Sequence, residues 1–261
     1  MFTAKDRENC QRLYNRYYAG RKFFDTLYRE QIHEFIRPGG RVLDAGCGRY
    51  LKLCKELKDV AQMVGIDLES TMETDNRNAP FGVRGDLGHL PFASDCFDMV
   101  VSRSVVEHLA DPCQVFREFS RILRPGGILI MVTPNKYDYV SLIASLTPHW
   151  FHQRLVSRIF GVSQDDVFPT LYRANTKSAI RRAMAASGLA EKQLIGITHY
   201  PAYLSFSPVL YRVGILYERL TSLAFFSSLR SSILCVFEKT GAMPGQSQES
   251  GSLGRAPVEV P

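Results

Sequence analysis

Between residues 42 and 134 short apolar runs alternate with amphipathic or polar stretches, and this restricts the fold more than any other feature of the chain. Val42–Leu43 begins a short strand, residues 50–58 read as a helix, and "AQMVGID" at 61–67 is a second strand. A polar loop at 69–80 leads to "FGVRGD", a third strand. "CFDMVVS" at 96–102 is an apolar run suited to a strand covered on both faces. Residues 112–123 set Val115, Phe116, Phe119, Ile122 and Leu123 on one side of a helix. "RPGG" at 124–127 is then a tight turn before "ILIMVTP", the fifth strand. Such repetition implies βαβ units, hence a parallel sheet with helices packed on it.

The flanks follow the same grammar less strictly. Residues 1–39 form a helical N-terminal segment: Leu13, Tyr14, Tyr17 and Tyr18 share one face, as do Phe24, Leu27, Tyr28, Ile32 and Phe35. A first "RPGG" at 37–40 ends that segment, and the main domain is expected over residues 40–240. Its strand–helix pattern is interrupted at about 136–173 by an insert rich in aromatics and His. Thr176 then caps a helix carrying Ile180 and Met184. "KQLIGITHY" reads as a strand, a helix runs through Val209, Val213, Leu216, Leu220 and Leu223, and "SSILCVFEK" is the last strand. Residues 241–261, rich in Gly, Ser, Pro and Gln, are expected to be disordered.

Composition narrows the class of function. A formal charge of +6 and a pI near 9.0 allow an anionic partner, but the basic residues form no dense run of the kind that grips nucleic acid. Cys10, Cys47, Cys54, Cys96, Cys113 and Cys235 are scattered without a CxxC pair, which suits reduced thiols in a cytoplasmic protein. "MFTAKDRENCQRLYNRYY" lacks the apolar core of a secretory leader. The most hydrophobic region, 201–237, is broken by Arg212, Glu218, Arg219 and Arg230, so no transmembrane span is expected.

The chemistry concentrates at strand ends. "RVLDAGCGRY" closes the first strand on Asp44 and turns through Gly46, Cys47 and Gly48, placing N–H groups and a helix start beside a crevice. A dinucleotide fingerprint would want a third small residue where Leu51 stands, and Asp44 suits a cationic ligand better than a pyrophosphate. Asp67 closes "VGID", where a carboxylate can accept both hydroxyls of a ribose. Asp86 closes "VRGD" before the apolar "LGHLPF", a setting for an amino group on a flat ring. Each acid taken singly can equally cap a helix or turn. Three at successive strand ends describe an adenosine-bearing, cationic ligand without phosphates.

"VLDAGCG", "VGIDLES", "GDLGHLPFASDCFDMVVSRSVVEHLADP" and "RILRPGGILIMVTPN" resemble, in order and spacing, the motifs of class I S-adenosylmethionine-dependent methyltransferases, most closely the type 11 group acting on small molecules. The resemblance covers roughly residues 35–135 strongly and extends more weakly to Lys239. It implies a Rossmann-like, seven-stranded, mostly parallel sheet with an antiparallel last strand and helices on both faces. It also implies S-adenosylmethionine as cofactor. Asp44, Gly46, Cys47 and Gly48 would line its methionine part, Asp67 and Leu68 its ribose side, and Asp86 with Leu87 its adenine. Ser102 would face the sulfonium and amino-acid end. The family often has a small residue where Tyr50 stands, which narrows the room at the helix start.

With a methyl group already activated on sulfur, such a protein mainly aligns a nucleophile and excludes water, and a base helps when the acceptor is a hydroxyl. His108 in "VVEHL" is the candidate catalytic residue; alternatively Glu107 and His108 start a helix and hold neighbouring loops. His149 and His152 have helical spacing, but no carboxylate or cysteine completes a ligand set, so no metal site is expected. Tyr14, Tyr17 and Tyr18 either close over the cofactor or pack in the core. In the insert, Tyr137, Tyr139, Trp150, Phe151, Phe160, Phe168 and Tyr172 lie among Arg154, Arg158 and Arg173. Aromatics beside arginines suit a small-molecule, lipid- or glycan-linked acceptor. The stripe at 148–160 suits peripheral membrane contact as well as a cap packed on its own sheet. Nucleic acid is not expected as acceptor, since "SRSV" at 102–105 is unlike the Asp/Asn-Pro-Pro-aromatic tetrad of amino-directed base methyltransferases. Two other readings stay open: a non-catalytic scaffold that binds the same cofactor and acts through partners, and a nucleotide-dependent oxidoreductase.

Overall fold

The structure, a computed structural model, describes residues 3–48, 51–68, 81–147, 154 and 168–241, and within them the alternation resolves into one seven-stranded sheet. The strands are β1 (Arg41–Ala45), β2 (Gln62–Asp67), β3 (Phe81–Arg84), β4 (Phe97–Arg103), β5 (Leu123–Pro134), β6 (Leu189–Ile197) and β7 (Ser232–Lys239), in the order β3-β2-β1-β4-β5-β7-β6. β1 to β5 pair in parallel, and β7 runs antiparallel to both β5 and β6. This is the seven-stranded Rossmann-like sheet that the motifs imply. The chain winds outward from β1 through β2 to β3, then returns to place β4 on the other side of β1. A crevice opens at such a switch point, at the carboxyl ends of the strands.

Period-two alternation assigns each strand residue to one of two cores. Along β5, Leu129 and Met131 join a cluster with Leu43, Val64 and Val100, while Ile128, Ile130 and Val132 join one with Val42, Met63 and Met99. The first cluster is covered by helices α4 (Pro112–Ile122) and α6 (Lys177–Ala186), through Val115, Phe116, Phe119, Ile122, Ile180, Ala183 and Met184. The second is covered by α2 (Phe24–Phe35) and α3 (Lys52–Leu57), through Tyr28, Ile32, Cys54 and Leu57. Removing a side chain such as Ile32 or Phe116 from water contributes about 1.5–3 kcal/mol. Helix α4 starts where Asp111 accepts the Gln114 N–H and Pro112 occupies the first turn.

Helix α1 (Ala4–Tyr18) stands off the sheet, starting at a Thr3–Asp6 capping box. With α7 (Pro208–Ser222) it forms a third, smaller cluster of Cys10, Tyr18, Tyr211 and Ile215. Helix α5 (Tyr139–Leu146) opens the insert.

Two boundaries and one buried face differ from the sequence reading. The second "RPGG" lies inside β5, because Leu123 already pairs with Phe97 and the register shifts before Met99 meets Ile128: the turn is absorbed as a bulge, with Gly126 at φ +75°. β6 begins at Leu189 and ends at Ile197, so Thr198, His199 and Tyr200 leave the sheet. Helix α7 forms where expected but turns Val209, Val213, Leu216, Leu220 and Leu223 to solvent. It buries Tyr211, Gly214, Ile215, Glu218 and Thr221 instead. A Cβ on Gly214 would stand 2.4 Å from the Pro201 Cβ, and the Glu218 carboxylate accepts from Arg21 at 2.8 Å. Those two contacts select the face. Tyr50, the 69–80 loop, the 148–160 stripe apart from Arg154 (with His149 and His152), and the tail after Gly241 lie outside the described residues.

Candidate functional site

The carboxyl ends of β1 and β4 hold a cavity of about 210 Å³, lined by Asp25, Tyr28, Arg29, Asp44, Gly46, Cys47, Gly48, Lys52, Leu53 and Arg103. The four residues expected from "DAGCG" are thus together. Asp44 is buried at the end of a central strand, where its carboxylate accepts from the Cys54 thiol at 3.7 Å. Burial pushes this carboxyl up to about 7, with the Cys54 bond and the Arg103 charge pulling the other way. A carboxylate so placed is stabilised by a cationic ligand.

Among the described residues of the glycine loop the backbone N–H groups are turned inward and form no phosphate cradle. The Gly46 and Cys47 N–H groups both donate to the Ile66 carbonyl, at 2.8 and 3.3 Å, and Gly48 N–H donates to the Asp67 carboxylate at 2.9 Å. The two glycines also serve different ends. A Cβ on Gly46 would stand 2.2 Å from a Val105 methyl, so this glycine (φ +77°) is required by packing on the chain's own side chain. Around Gly48 (φ +66°) a Cβ would meet nothing within 4 Å. Open space at a left-handed glycine is where a ligand can approach the backbone. The half-buried Cys47 thiol is pushed up to about 12 by burial, which makes it a packing group rather than a nucleophile.

The other expected residues divide. Asp67 joins the site through Gly48. Ser102 is buried with its hydroxyl donating to the Ala45 carbonyl at 2.9 Å, so it ties β4 to β1 beneath the cavity. Leu68, Asp86 and Leu87 do not line this cavity. Leu68 is exposed after β2, Asp86 accepts the Gly88 N–H at 2.9 Å in its own turn, and the Leu87 side chain belongs to the core. Leu87 therefore has only its main chain to offer a ligand.

Four lining groups are invisible to motif reading. Tyr28 is an α2 core residue by its spacing, yet its hydroxyl is buried without a hydrogen-bond partner at the cavity wall. Arg103 leaves the end of β4 and pairs with Asp25 of α2. Lys52 adds a third cation to the wall, beside Arg29 and Arg103. Burial works against the Asp25 charge, but Arg29 and Arg103 outweigh it and lower the carboxyl below its ordinary value, so it stays ionised beside them.

A second cavity, of about 560 Å³, lies alongside. Its volume is that of a site for a whole small molecule. Phe24, Tyr139, Phe168, Tyr172, Tyr200 and Tyr203 supply aromatic walls, and Glu107, His108, Thr133, Asp138 and His199 supply polar ones. Two adjacent pairs of residues divide between the cavities: Phe24 and Ser104 face the larger, Asp25 and Arg103 the smaller. The start of α2 and the end of β4 therefore run between the two spaces. Ser104 sits at φ +55°, a left-handed backbone that a non-glycine residue rarely adopts, right at that partition.

His108 lies in the larger cavity on a single 3-10 turn, Val106–His108, rather than on a longer helix. Its Nδ1–H donates to the Pro169 carbonyl at 2.8 Å, which leaves Nε2 as the basic nitrogen of the neutral ring. Glu107 Oε1 lies 3.9 Å from that Nε2. The rest of Glu107 is structural: Oε2 accepts from the Thr133 hydroxyl at 3.0 Å, and its carbonyl accepts the Leu171 and Tyr172 N–H groups. Burial raises the Glu107 carboxyl, and a positive charge on His108 would lower it again. Asp138 is pushed up to about 6 by burial, and burial lowers His199. Tyr14, Tyr17 and Tyr18 pack in the α1–α7 cluster and line neither cavity. Among the described residues no group of three metal-binding side chains occurs.

Comparison with known proteins gives the arrangement a family. The domain family described as "Methyltransferase domain" (Methyltransf_11) matches residues 43–131. The ubiquinone biosynthesis O-methyltransferase of Ruegeria pomeroyi is 30% identical over 177 residues, 60% of this chain and 71% of that protein. A probable S-adenosylmethionine-dependent methyltransferase of Mycolicibacterium smegmatis is 36% identical over 120 residues, 44% of this chain and 45% of that one. Against several curated relatives the chain spans only 31% to 47% of their length. Among solved structures, geranyl diphosphate C-methyltransferase from Streptomyces coelicolor A3(2) superposes with a TM-score of 0.52 at 16% identity, covering 83% of this chain and 79% of that one. That likeness is one of fold.

Proposed function

We propose that this chain, which belongs to the class I S-adenosylmethionine-dependent methyltransferases, methylates a small, partly apolar or lipid-like acceptor held in the 560 Å³ cavity. The observation that carries the proposal is the partition: residues 24/25 and 103/104 each put one neighbour into the strand-end cavity and the other into the aromatic one. Donor and acceptor sites one backbone apart are what direct group transfer needs.

The strand-end cavity fits the donor on its own chemistry. The buried Asp44 carboxylate and the orphaned Tyr28 hydroxyl call for a cationic, hydrogen-bonding ligand, and Arg103 and Lys52 answer a ligand carboxylate. Together they suit an α-amino acid. Asp67 would hold the ribose, Leu68 would flank it, and Asp86 with the Leu87 main chain would meet the adenine. Open space at Gly48 admits the ligand. When bound, S-adenosylmethionine supplies a methyl group already activated on a sulfonium. The protein's part is then to orient the acceptor and to exclude water, for which the ring walls Phe24, Tyr139 and Tyr203 serve. Where the acceptor is a hydroxyl, His108 Nε2 takes its proton, with the ring fixed by Pro169 and the charge steadied by Glu107.

Both described ends of the insert, Tyr139–Ser141 and Phe168–Tyr172, contribute to the aromatic cavity, which supports residues 136–173 as the acceptor-side cap. The relative from Ruegeria pomeroyi is named for ubiquinone biosynthesis, and an aromatic, lipid-like acceptor agrees with the ring walls here. No described helix is long and apolar enough to cross a membrane. The test is a metabolite extract incubated with the protein and methyl-labelled donor. Label is expected in a solvent-extractable small molecule and lost on Tyr203→Trp, which fills the cavity. Label in nucleic acid, or donor binding with no transfer in any extract, overturns the acceptor reading; the second outcome favours the cofactor-binding scaffold.

A further inference from the structure

Helix α7 is amphipathic in reverse. Val209, Val213, Leu216, Leu220 and Leu223 recur at helical spacing along one stripe and are 67%, 57%, 60%, 45% and 55% exposed. The stripe continues into Phe225, 87% exposed. Helix α5 adjoins it through the Tyr139 and Tyr217 rings, 5.1 Å apart edge to face. It exposes Leu142, Ile143 and Leu146 and carries no charged residue. Scattered apolar residues on a surface are ordinary, but an apolar stripe running the length of a helix, with a second exposed apolar run on a neighbouring helix, marks a contact site.

The charges around the face say what covers it. Its exposed ionic groups on α7 are Arg212 and Arg219. Arg219 and Arg16 of α1 bracket the Tyr17 ring, with guanidinium carbons 5.0 and 5.5 Å from its centre. The one acid of α7, Glu218, is buried and bonded to Arg21. An apolar stripe flanked by Arg212, Arg219 and Arg16, against which α1 sets only Asp6 and Glu8 near its start, complements an anionic lipid surface, where the stripe enters the acyl boundary and the arginines meet phosphates. Helix α5 links this face to the aromatic cavity: Tyr139, Val140 and Ser141 line the cavity, and the next turns carry the exposed Leu142, Ile143 and Leu146. We propose that α7 and α5 dock the protein on an anionic membrane surface, beside the cavity that receives a membrane-resident acceptor. The docking face itself rests on exposure and charge and stands without the methyl-transfer reading; only the acceptor clause depends on it.

The experiment is co-sedimentation of the full chain with phosphatidylcholine vesicles, with and without phosphatidylglycerol, in the absence of any methyl donor. Binding is expected to the anionic vesicles and to weaken with added salt. Leu216→Glu/Leu220→Glu should lower the partition at least about tenfold, and Arg212→Ser/Arg219→Ser about tenfold. All four substitutions lie outside both cavities, so binding of S-adenosylhomocysteine should not move, and a cooperative thermal transition controls for folding, lowered slightly where Arg219 leaves the Tyr17 ring. The proposal is overturned when the wild-type chain stays in solution with anionic vesicles, or when the paired variants sediment like wild type. It is also overturned when the wild-type chain is a dimer that Leu216→Glu/Leu220→Glu splits, which assigns the face to a second copy.

Discussion

Asp44→Asn should make the protein more stable and disable its donor site at once. The Asp44 carboxyl rises from the ordinary carboxylate value of 3.8 to about 7 because burial removes it from water. At 1.36 kcal/mol per pH unit, that displacement, with the help of the Cys54 thiol already included, corresponds to about 4 kcal/mol, an upper bound since relaxation around the ion relieves part of it. The direction follows from proton counts. Between pH 4 and 7 the folded chain keeps a proton on Asp44 that the unfolded chain has lost, so the wild type loses stability as pH rises through this window. Above about 7 both forms are ionised and the whole penalty is present. Asparagine carries no charge to desolvate and can still accept from Cys54. The difference in unfolding free energy between variant and wild type should therefore grow from near zero at pH 4 to about 2–4 kcal/mol at pH 8. Urea denaturation at several pH values measures it. The same variant should bind S-adenosylhomocysteine about 10- to 100-fold more weakly, because a hydrogen bond to a charged ammonium is lost. Calorimetry on the wild type near pH 7 should show proton release on binding, as the ligand cation draws the carboxyl down. An asparagine variant no more stable at pH 8, or a gain independent of pH, would refute the reasoning.

Five further substitutions, at Tyr28, Gly46, Gly48 and Glu107, separate the roles of neighbouring residues. Tyr28→Phe removes a buried hydroxyl that lacks a partner, so stability should hold or rise by up to about 1 kcal/mol while donor affinity falls several-fold; equal affinity in calorimetry would show that the hydroxyl does not meet the ligand. Gly46→Ala forces a Cβ onto Val105 at a left-handed backbone and should cost at least about 2 kcal/mol in chemical denaturation. Gly48→Ala, with open space around it, should cost about 1 kcal/mol yet lose more donor binding than stability. Glu107→Ala takes the acceptor from the buried Thr133 hydroxyl and should lower stability by about 1–3 kcal/mol. Glu107→Gln should restore most of that stability but leave the pH profile of methyl transfer altered, which a purely structural Glu107 would not do.

Much of this is legible in the sequence because it rests on local rules. Apolar runs ending in acids place Asp44 and Asp67 at strand ends. What stayed hidden depends on distance in sequence. Arg103 and Asp25 are 78 residues apart and meet only because α2 lies across the ends of β1 and β4. Tyr28 has the spacing of a core residue and is one; only the position of its hydroxyl makes it a candidate ligand contact. The two glycines of "GCG" look equivalent, but Val105, nearly sixty residues on, takes the space above the first. "THY" at 198–200 continues the alternation of β6, so nothing local signals that His199 and Tyr200 leave the sheet for the aromatic cavity. Helical spacing through Val209 and Leu223 names a stripe without naming the side that packs. Pro201 against Gly214 and Arg21 against Glu218 decided that in favour of the opposite face.

A crystal structure of the chain with S-adenosylhomocysteine tests the central claim most directly. The account predicts the ligand's amino group on Asp44, its carboxylate toward Arg103 and Lys52, its ribose on Asp67, and its sulfur at the divide formed by Phe24 and Ser104, open to the aromatic cavity. A ligand bound elsewhere, or one seated at Asp44 with its sulfur turned away from that cavity, would contradict it.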